Sequence, residues 1–278
     1  MLKSRRLTTV PIPDLAREFA VLDAQKDHGE YDSFTLGSWS SHVLANSSGS
    51  AGDTAFRPHS GTLQPTELGE QLPGIMALVD QHFHTERLQW IRVFALRDGI
   101  LAPHVDFLEF DEPGTRLQVP LRTTTEALHS ENDTVYHLRK GEVWQIHTTE
   151  PHSARSGAGP ARLSLCLDFA GNDLALDDIV REATPPTQEI HLVDRPPLPD
   201  EELEKILDIG SELTVANMHG KFRAFAAAHF THAIPAAGTF DLFSRAAARS
   251  SDPNVKVKAD AFRVFCIEKR GYREIFSW

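Results

Sequence analysis

The chain has 278 residues, of which 41% are hydrophobic and 24% charged, values that are ordinary for a globular protein. Its formal net charge of −11 argues against a nucleic-acid or anionic-membrane partner, because both require clustered lysine and arginine. No window of the sequence has the apolar length needed to cross a membrane, so a membrane protein is not expected.

The cysteine content and the first residues predict an intracellular location. Cys166 and Cys266 each lie in an apolar stretch, which is typical of free, buried thiols in a reducing compartment. The N-terminal segment MLKSRRLTTVPIP is basic but lacks the apolar run of a secretory signal. We therefore expect a cytoplasmic protein.

The residues before position 88 predict helices joined by loops. The segment LAREFAVLDAQ, which follows Asp14, has apolar residues at helical spacing. The small, polar and glycine-rich stretch 46–61 indicates a mobile loop or lid. A second helical pattern covers 66–87 and is interrupted at Pro73.

From Leu88 onward the pattern changes from helical to alternating. Short runs of strand character are separated by Gly, Pro, Asp or Asn: LQWIRVFAL, ILAPHVDFLEF, TRLQVPLRT, DTVYHLR, GEVWQIH and ARLSLCLDFA. Many short strands at close spacing predict a mainly β fold, either a sandwich or a small barrel. The candidate metal motif in the second run favours a cupin-like double-stranded β-helix, or jelly roll, with helices before and after it.

After Ala170 the pattern returns to helix. A proline-rich connector, PPTQEIHLVDRPPLPD, precedes helical segments at 201–211, 214–232, 240–249 and 255–269. We expect a jelly-roll unit with its N-terminal helices over 1–183 and a C-terminal helical region over 184–278. The sequence leaves open whether this region packs on the sheet, forms a homodimer or covers the substrate.

The sequence His104-Val105-Asp106 carries the strongest chemical signal. On a strand, His104 and Asp106 point to the same side because side chains alternate between faces. A second histidine from a distant strand, His152, completes a two-histidine-one-carboxylate set, which is typical of non-haem iron(II) sites with open coordination positions.

Other pairs of candidate ligands occur because the chain has 14 histidines. The rivals are His28/Glu30, His129/Glu131 and His82/His84. The first lies in a charged, helix-ending context, and the second opens an acidic run that is typical of a turn. The third sits in a helical pattern, in which residues i and i+2 point apart.

Polar residues are predicted to face the interior of the barrel. In the last run, Arg162 and Ser164 alternate with leucines that would pack under helices. Arg116 and Gln118 likewise alternate with apolar residues in an earlier run. An arginine inside a small barrel is costly unless an anion meets it, so these residues indicate a ligand with carboxylates. The alternative for Arg162 is an ion pair with Asp168 or with a helix.

These residues, together with the phrases HSENDTVYHLRKGEVW and HSARSGAGPARLSLCLDFA, resemble the iron(II)/2-oxoglutarate-dependent hydroxylases of free cyclic amino acids. This group includes the bacterial proline cis-3- and cis-4-hydroxylases and pipecolic acid 3-hydroxylase. The resemblance extends over nearly the whole chain, from EYDSFTLGSW to the AHFTHAI region. More distantly, the strand that carries Arg116 resembles the aspartyl/asparaginyl β-hydroxylases.

The resemblance implies a cosubstrate as well as a metal. Iron(II) would be held by His104, Asp106 and His152, and 2-oxoglutarate would chelate it, leaving a position for O2. Arg162, helped by Ser164, would bind the distal carboxylate of 2-oxoglutarate. Gln118 occupies the position at which the β-hydroxylases have a histidine near the cosubstrate.

The implied substrate is a free cyclic L-amino acid whose carboxylate is held by an arginine. Arg116 is the first candidate and Arg92 the second, with an ion pair to Asp or Glu as the alternative for Arg92. His129 would either close the pocket or cap a turn. Trp39, with Tyr31, would form an apolar wall for the ring or belong to the core.

Val105 stands between the metal ligands where the proline hydroxylases carry arginine. The smaller side chain leaves room for a six-membered ring, so L-pipecolic acid is expected as readily as L-proline. One methylene changes binding by only about 1–3 kcal/mol, and both rings are therefore expected to react. We predict cis-3-hydroxylation, although the position of attack depends on which carbon lies nearest the reactive oxygen.

Two alternatives remain at the level of the sequence. One is a hydroxylase of an acyclic amino acid or of a peptidyl residue. The other is a metal-binding cupin that does not use 2-oxoglutarate, either as an enzyme or as a binding protein. In every case the expected partner is a small molecule or a peptide rather than a nucleic acid or a membrane.

Overall fold

The computed structural model describes residues 2–26, 32–53, 62–106, 114–271 and 274–278. In this part of the chain, strands form one curled, mainly antiparallel sheet with helices before and after it, which confirms the predicted cupin-like jelly roll. The strands are β1 (Arg5–Thr9), β2 (Thr35–Asn46), β3 (Gln64–Pro65), β4 (Leu88–Leu101), β5 (Gly114–Arg122), β6 (Leu128–Glu131), β7 (Thr134–His137), β8 (Glu142–Gln145), β9 (His152–Arg155), β10 (Arg162–Ala170) and β11 (His191–Leu192).

Along the described part of the chain, three helices lie among the first strands and the others follow β10. They are α1 (Ala16–Asp23), α2 (Glu67–Gln71), α3 (Pro73–His82), α4 (Leu176–Ile179), α5 (Asp200–Asp208), α6 (Met218–Thr231), α7 (Gly238–Ala247) and α8 (Pro253–Arg263), with a 3₁₀ turn at Ile209–Glu212 and a π-helical turn at Val264–Glu268. The predicted interruption of the second helical pattern at Pro73 is confirmed, because this proline begins α3.

The strand order places β10 near the centre of the sheet. The order is β1-β8-β5-β10-β4-β9-β6-β7-β11, and β2 pairs with β3 and β4 at one side of this path. β10 is antiparallel to both β4 and β5, so its side chains have neighbours on each flank. Inward-facing residues of these three strands therefore form a continuous surface.

The outer face of the sheet packs against the N-terminal helices. Leu163, Leu165 and Leu167 of β10 are buried in the same apolar cluster as Leu22 of α1 and Ile75 of α3. The predicted alternation along β10, with leucines beneath helices and polar residues inside, is confirmed. Burial of this apolar face stabilises the sheet and leaves the inner face available for polar groups.

The interpretation of the first part of the chain as helix and loop is wrong for β1 and β2. β1 pairs with β8, and β2 pairs with β4 along most of its length. β2 is rich in serine, and polar side chains such as Ser40 and His42 are buried in it. It therefore lacks the apolar alternation on which a strand assignment from sequence depends.

The acidic run that begins at His129 was expected to be a turn, and this is wrong for its first residues. His129 lies within β6, which forms a hairpin with β7. The reversal comes after it, at Asn132, whose φ of 53° is a left-handed conformation that asparagine tolerates. The run is therefore a strand followed by a tight turn.

The metal motif lies just beyond a strand rather than inside one. The first predicted run and the first two residues of the second belong to the 14-residue strand β4, which ends at Leu101. Residues 107–110 of the second run lie outside the described part of the chain. Pro103 has no N–H to donate to a ladder, and beyond it His104 pairs with His152 through one isolated bridge.

The C-terminal helices pack against the sheet. Their phenylalanines share one apolar cluster with Phe34, Leu36 and Ile100 of the sheet region. The phenylalanines that were predicted to be core are all buried: Phe222, Phe225, Phe230, Phe262 and Phe265. Of the three alternatives for this region, packing on the sheet is therefore observed.

In the part of the chain that the structure describes, no helix is both long and apolar enough to cross a membrane. Cys166 and Cys266 are buried and form no disulfide, as predicted. The division of the chain at residue 183 stays a prediction.

Because His229 on α6 is buried, we expect the free energy of unfolding to fall in acid. Its Nδ1 lies 2.6 Å from the Ile234 carbonyl, and burial lowers its pKa from 6.5 to about 4. The unfolded chain therefore binds a proton that the folded chain does not, and stability falls as the pH drops from 6.5 towards 4. The loss is of the order of 3 kcal/mol, measured by urea unfolding at several pH values.

A His229→Asn variant tests the assignment, because the asparagine amide can still donate to the Ile234 carbonyl but does not titrate. Its free energy of unfolding should fall less than that of the wild type between pH 6.5 and 4. His191→Asn, at an exposed position, is the matched control and should leave the pH dependence unchanged. Identical curves for H229N and the wild type would show that His229 is not responsible.

Candidate active site

Three side chains that were predicted to bind metal lie together at the mouth of the sheet. Within the described ranges, His104, Asp106 and His152 form the one group of three His, Cys, Asp or Glu residues with donor atoms close enough to share an ion, all within 4.8 Å of one another. Asp106 Oδ1 lies 3.5 Å from His104 Nε2 and 3.9 Å from His152 Nε2. The side chains are almost fully buried.

The backbone holds this group in place. The N–H of His104 donates to the carbonyl of His152, and the N–H of His152 donates to the carbonyl of His104, each with an N···O distance of 2.9 Å. The Asp106 N–H donates to the Thr148 carbonyl over 3.0 Å. The positions of the two imidazoles therefore depend on main-chain bonds and not only on rotamers.

The ring nitrogens that face away from the group are also held. His104 Nδ1 lies 2.8 Å from the Ala102 carbonyl, and His152 Nδ1 lies 3.0 Å from the Glu150 carbonyl. A carbonyl only accepts, so each Nδ1 carries a proton, and Nε2 is the ring nitrogen that faces the group. This arrangement, in which the second ring N–H donates to a carbonyl, is typical of metal-ligating histidines.

A chain of buried charges continues from Asp106 into the sheet. Arg116 Nη1 donates to Asp106 Oδ2 and Arg116 Nε donates to Asp168 Oδ1, both over 2.8 Å. Arg92 Nη2 donates to Asp168 Oδ2 over 2.7 Å, and its guanidinium lies 3.8 Å from the centre of the Trp90 ring. Each guanidinium thus meets a carboxylate, and Asp168 lies between the two arginines.

Replacing Asp168 by alanine is expected to destabilise the protein by about 3–5 kcal/mol, because it removes the carboxylate that joins two buried arginines. Urea unfolding of the variant measures this change. Glu201→Ala removes an exposed ion pair with Lys205 and should cost no more than about 1 kcal/mol. Equal effects of the two substitutions would contradict the importance of the buried charges.

Arg162 lies at the far end of the inner face, and its environment differs from that of the other two arginines. It is 6% exposed, and its Nη1 donates to the Leu128 carbonyl over 2.9 Å. Among the described residues it has no carboxylate partner. Burial lowers its pKa from 12.5 to about 10, so it is still a cation at neutral pH.

The alternative of an ion pair between Arg162 and Asp168 is wrong. Asp168 is occupied by Arg92 and Arg116. Six positions along one strand also separate the two residues by about 20 Å, which is too far for contact.

Two polar side chains that line the same pocket as Arg162 are buried without a hydrogen-bond partner among the described residues. They are Ser164, through its hydroxyl, and His129, through both ring nitrogens. Burial, followed by the charge of Arg162, holds the pKa of His129 well below its ordinary value, so its imidazole is neutral. Buried polar groups are nearly always hydrogen-bonded, so this cluster indicates a ligand site.

These groups line one pocket with about 660 Å³ of empty space, part of it open to solvent. Trp39 and Gln118, both predicted site residues, also line it. Arg116 lies in the wall, whereas Arg92 is not among the lining residues. Predicted Tyr31 lies outside the described residues. The apolar part of the wall consists of Phe34, Trp39, Phe94, Leu96 and Leu101.

The structure also brings forward residues that were not predicted from the sequence. The Phe34 ring lies 4.6 Å from the ring of His104, centre to centre, and Thr148 supplies both a lining side chain and the carbonyl that holds Asp106. Asp168 was considered only as a partner for Arg162. Its register opposite Arg116 across β5 and β10 is the signal that could have identified the true pair.

Two family models match the chain. Residues 14–171 match the aspartyl/asparaginyl beta-hydroxylase family, and residues 178–274 match the C-terminal part of L-proline 3-hydroxylase. The first match covers strands β2 to β10 with the metal group, and the second covers the C-terminal helices. Together they extend over most of the chain.

Similar proteins are known from bacteria. L-proline cis-3-hydroxylase 2 of a Streptomyces species is 31% identical over 272 residues, which cover 95% of this chain and 93% of that protein. L-proline cis-4-hydroxylase of Rhizobium meliloti is 27% identical and covers 95% of both chains. A 2OG-Fe(II) oxygenase family oxidoreductase from Burkholderia pseudomallei, known as a crystal structure, is 10% identical with a TM-score of 0.32, covering 48% of this chain and 68% of that one. The identity and coverage of the Streptomyces relative, together with the family match over more than half of the sequence, show that this chain belongs to the amino-acid hydroxylase family that contains the L-proline cis-3-hydroxylases.

Proposed function

We propose that the chain is an iron(II)/2-oxoglutarate-dependent hydroxylase of a free cyclic L-amino acid, L-proline or L-pipecolic acid, that acts at the cis-3 position. The observation that carries the proposal is the convergence of His104, Asp106 and His152 in one pocket with Arg162, a buried cation that has no carboxylate partner among the described residues. Two histidines and a carboxylate on one side of an ion leave positions for a cosubstrate and O2.

The residues present fit a ferrous ion. His104 and His152 each direct Nε2 at the group while a carbonyl accepts from Nδ1, and Asp106 directs Oδ1. Neither Cys166 nor Cys266 is part of the group, which argues against the thiolate-rich shell common in structural zinc sites. When bound, the ion supplies the oxidising chemistry by which O2 and 2-oxoglutarate convert a C–H to a C–OH, with release of succinate and CO2.

Arg162 is the proposed partner of the distal carboxylate of 2-oxoglutarate. Its guanidinium donates in a fork that matches a carboxylate, and burial strengthens the attraction. The Ser164 hydroxyl and a ring N–H of His129 add donors that have no partner in the described part of the chain. The proximity of His129 to Arg162 favours the cosubstrate over the amino-acid substrate as the ligand of this imidazole. Gln118 lines the same pocket and can donate through its amide.

Arg116 is the proposed contact for the carboxylate of the amino-acid substrate. It lies in the pocket wall next to Asp106, so a carboxylate held there would be beside the metal. Arg92 supports it from behind, since both arginines bind Asp168. Trp39 belongs to the apolar wall, where it would exclude water and contact ligand carbon atoms.

Incubation with iron(II), 2-oxoglutarate and a panel of amino acids tests the proposal. The expected result is stoichiometric succinate and hydroxyamino acid with L-proline or L-pipecolic acid, and NMR of the product identifies the carbon and its configuration. Turnover without 2-oxoglutarate would favour a different cupin enzyme. Turnover of acyclic amino acids or peptides alone would refute the assignment to cyclic substrates.

A further inference from the structure

The segment that carries two metal ligands is held from two sides. On the side of the sheet, His104 bonds to His152 and Asp106 bonds to Thr148. The residue between the ligands is held from elsewhere, because the Val105 N–H donates to the carbonyl of Cys266 over 2.9 Å. Cys266 lies far away in sequence, in the π-helical turn Val264–Glu268 that follows α8.

The π-helical turn makes this contact possible. The Lys269 N–H donates to the Val264 carbonyl, and the chain then becomes extended at Lys269. The last carbonyls of a helix have no partner within the helix, so the Cys266 carbonyl can accept from outside. Isolated π turns inside helices occur frequently at functional sites.

Arg270, two residues after this turn, contacts the same segment through its side chain. Its Nη2 donates to the Val105 carbonyl over 3.2 Å. Its guanidinium lies 5.0 Å from the centre of the Phe34 ring and 5.3 Å from that of Phe265. Phe34 in turn lies against the ring of His104. Arg270 therefore contacts the metal-ligand segment through the backbone of Val105 and through an aromatic ring.

Phe276 and Trp278 bind Ser33, the residue that precedes Phe34. The Phe276 N–H donates to the Ser33 hydroxyl, and Trp278 Nε1 donates to the Ser33 carbonyl, both over 2.9 Å. The C-terminal helices thus contact the metal-ligand segment and the aromatic residue that packs on it.

We propose that the C-terminal helical region is part of the metal centre, with Arg270 as a positioning residue for the segment that carries His104 and Asp106. This inference rests on the proposed function of that segment as the iron site. Arg270 is not one of the three predicted metal ligands, and it contacts their segment through the Val105 carbonyl and through Phe34, which lines the pocket. Its effect is therefore expected on metal affinity and on the ligand field of the bound ion.

Cobalt(II) binding to the whole protein, followed by visible absorption, tests the proposal without turnover. Arg270→Met keeps the aliphatic packing and removes the charge and the bond to Val105. Partners outside the ligand shell typically change metal affinity by about 10–100-fold, so we expect the Kd for Co(II) to rise about tenfold with an altered absorption spectrum. A role in folding alone would lower the unfolding temperature and leave the Kd of the folded protein unchanged.

Arg249→Gln is the matched control, because Arg249 lies in the same helical region but makes only exposed ion pairs with Glu204 and Asp208. Its Kd should equal that of the wild type. Failure of wild-type protein to bind Co(II), or binding that survives His152→Ala, would refute the proposed function. Normal wild-type binding with an unchanged Kd and spectrum in R270M would overturn only the role of Arg270.

Hydrogen exchange on wild-type protein provides a second measurement that does not depend on the folding of a variant. Because the Val105 and Cys266 backbones are bonded, Co(II) should slow exchange in a peptide that covers 264–271 as well as in one that covers 104–106. A peptide from α5 (Asp200–Asp208) should be unaffected. Slowing confined to 104–106 would contradict a direct connection to the C-terminal region.

Discussion

Replacement of Arg162 by methionine is expected to abolish productive binding of 2-oxoglutarate while leaving the metal in place. Truncating one partner of a buried charge pair costs about 2–5 kcal/mol, which corresponds to a fall of about 30- to 4,000-fold in kcat/KM for the cosubstrate. Steady-state kinetics at varied 2-oxoglutarate concentration measures this fall. The Kd for Co(II) should stay at the wild-type value, since Arg162 is not part of the metal group.

In the absence of ligands, replacement of Arg162 by methionine is not expected to destabilise the protein. Arg162 is a buried cation that meets a backbone carbonyl and, among the described residues, no carboxylate. An apolar side chain of similar length should therefore leave the free energy of unfolding unchanged or raise it. Arg122→Met is the control, because Arg122 pairs with Asp23 near the surface and should not affect the cosubstrate. Normal use of 2-oxoglutarate by R162M would contradict the assignment of the cosubstrate site.

Replacement of His152 by alanine is expected to eliminate both metal binding and hydroxylation. Loss of a partner outside the ligand shell costs about 10–100-fold in metal affinity, and loss of a ligand should exceed the upper end of that range. Titration with Co(II) and assay for succinate measure the two effects. The protein should stay folded, because the backbone bonds between His104 and His152 do not require the imidazole.

His147→Ala is the matched control for this experiment. His147 lies nearby in sequence, and its Nε2 is 2.7 Å from the Thr149 hydroxyl rather than in the metal group. Its substitution should change neither the Kd for Co(II) nor turnover. Stoichiometric metal binding by H152A at wild-type affinity would exclude the proposed ligand set.

The helices and the core strands could be predicted because their apolar residues repeat with a regular period. The helices after residue 200 and the leucines of β10 are examples. β2 could not be predicted, because its buried residues include serine and histidine, so it lacks the apolar alternation that indicates a strand. The identity of its partner, β4, is a long-range pairing that no local pattern in the sequence specifies.

The candidate site was predictable in its residue types but not in its contacts. His104, Asp106 and Arg162 stood out from strand alternation and from the family resemblance. The chain of charges through Asp168 depends on the register of β10 against β5, in which Asp168 lies opposite Arg116. The contact of Cys266 and Arg270 with Val105 depends on how α8 ends and where it packs. No local pattern in the sequence specifies either of these.

The reciprocal main-chain bonds between His104 and His152 have a consequence for metals other than iron. They hold the two residues as a hydrogen-bonded antiparallel pair, for which the Cα atoms lie about 5.5 Å apart, so the imidazoles cannot easily separate. A change in ionic radius is then expected to move the carboxylate of Asp106, whose Oδ2 accepts from Arg116, more than the two imidazoles. Manganese, cobalt and nickel forms should therefore share one histidine geometry and differ mainly in the length of the Asp106–Arg116 contact.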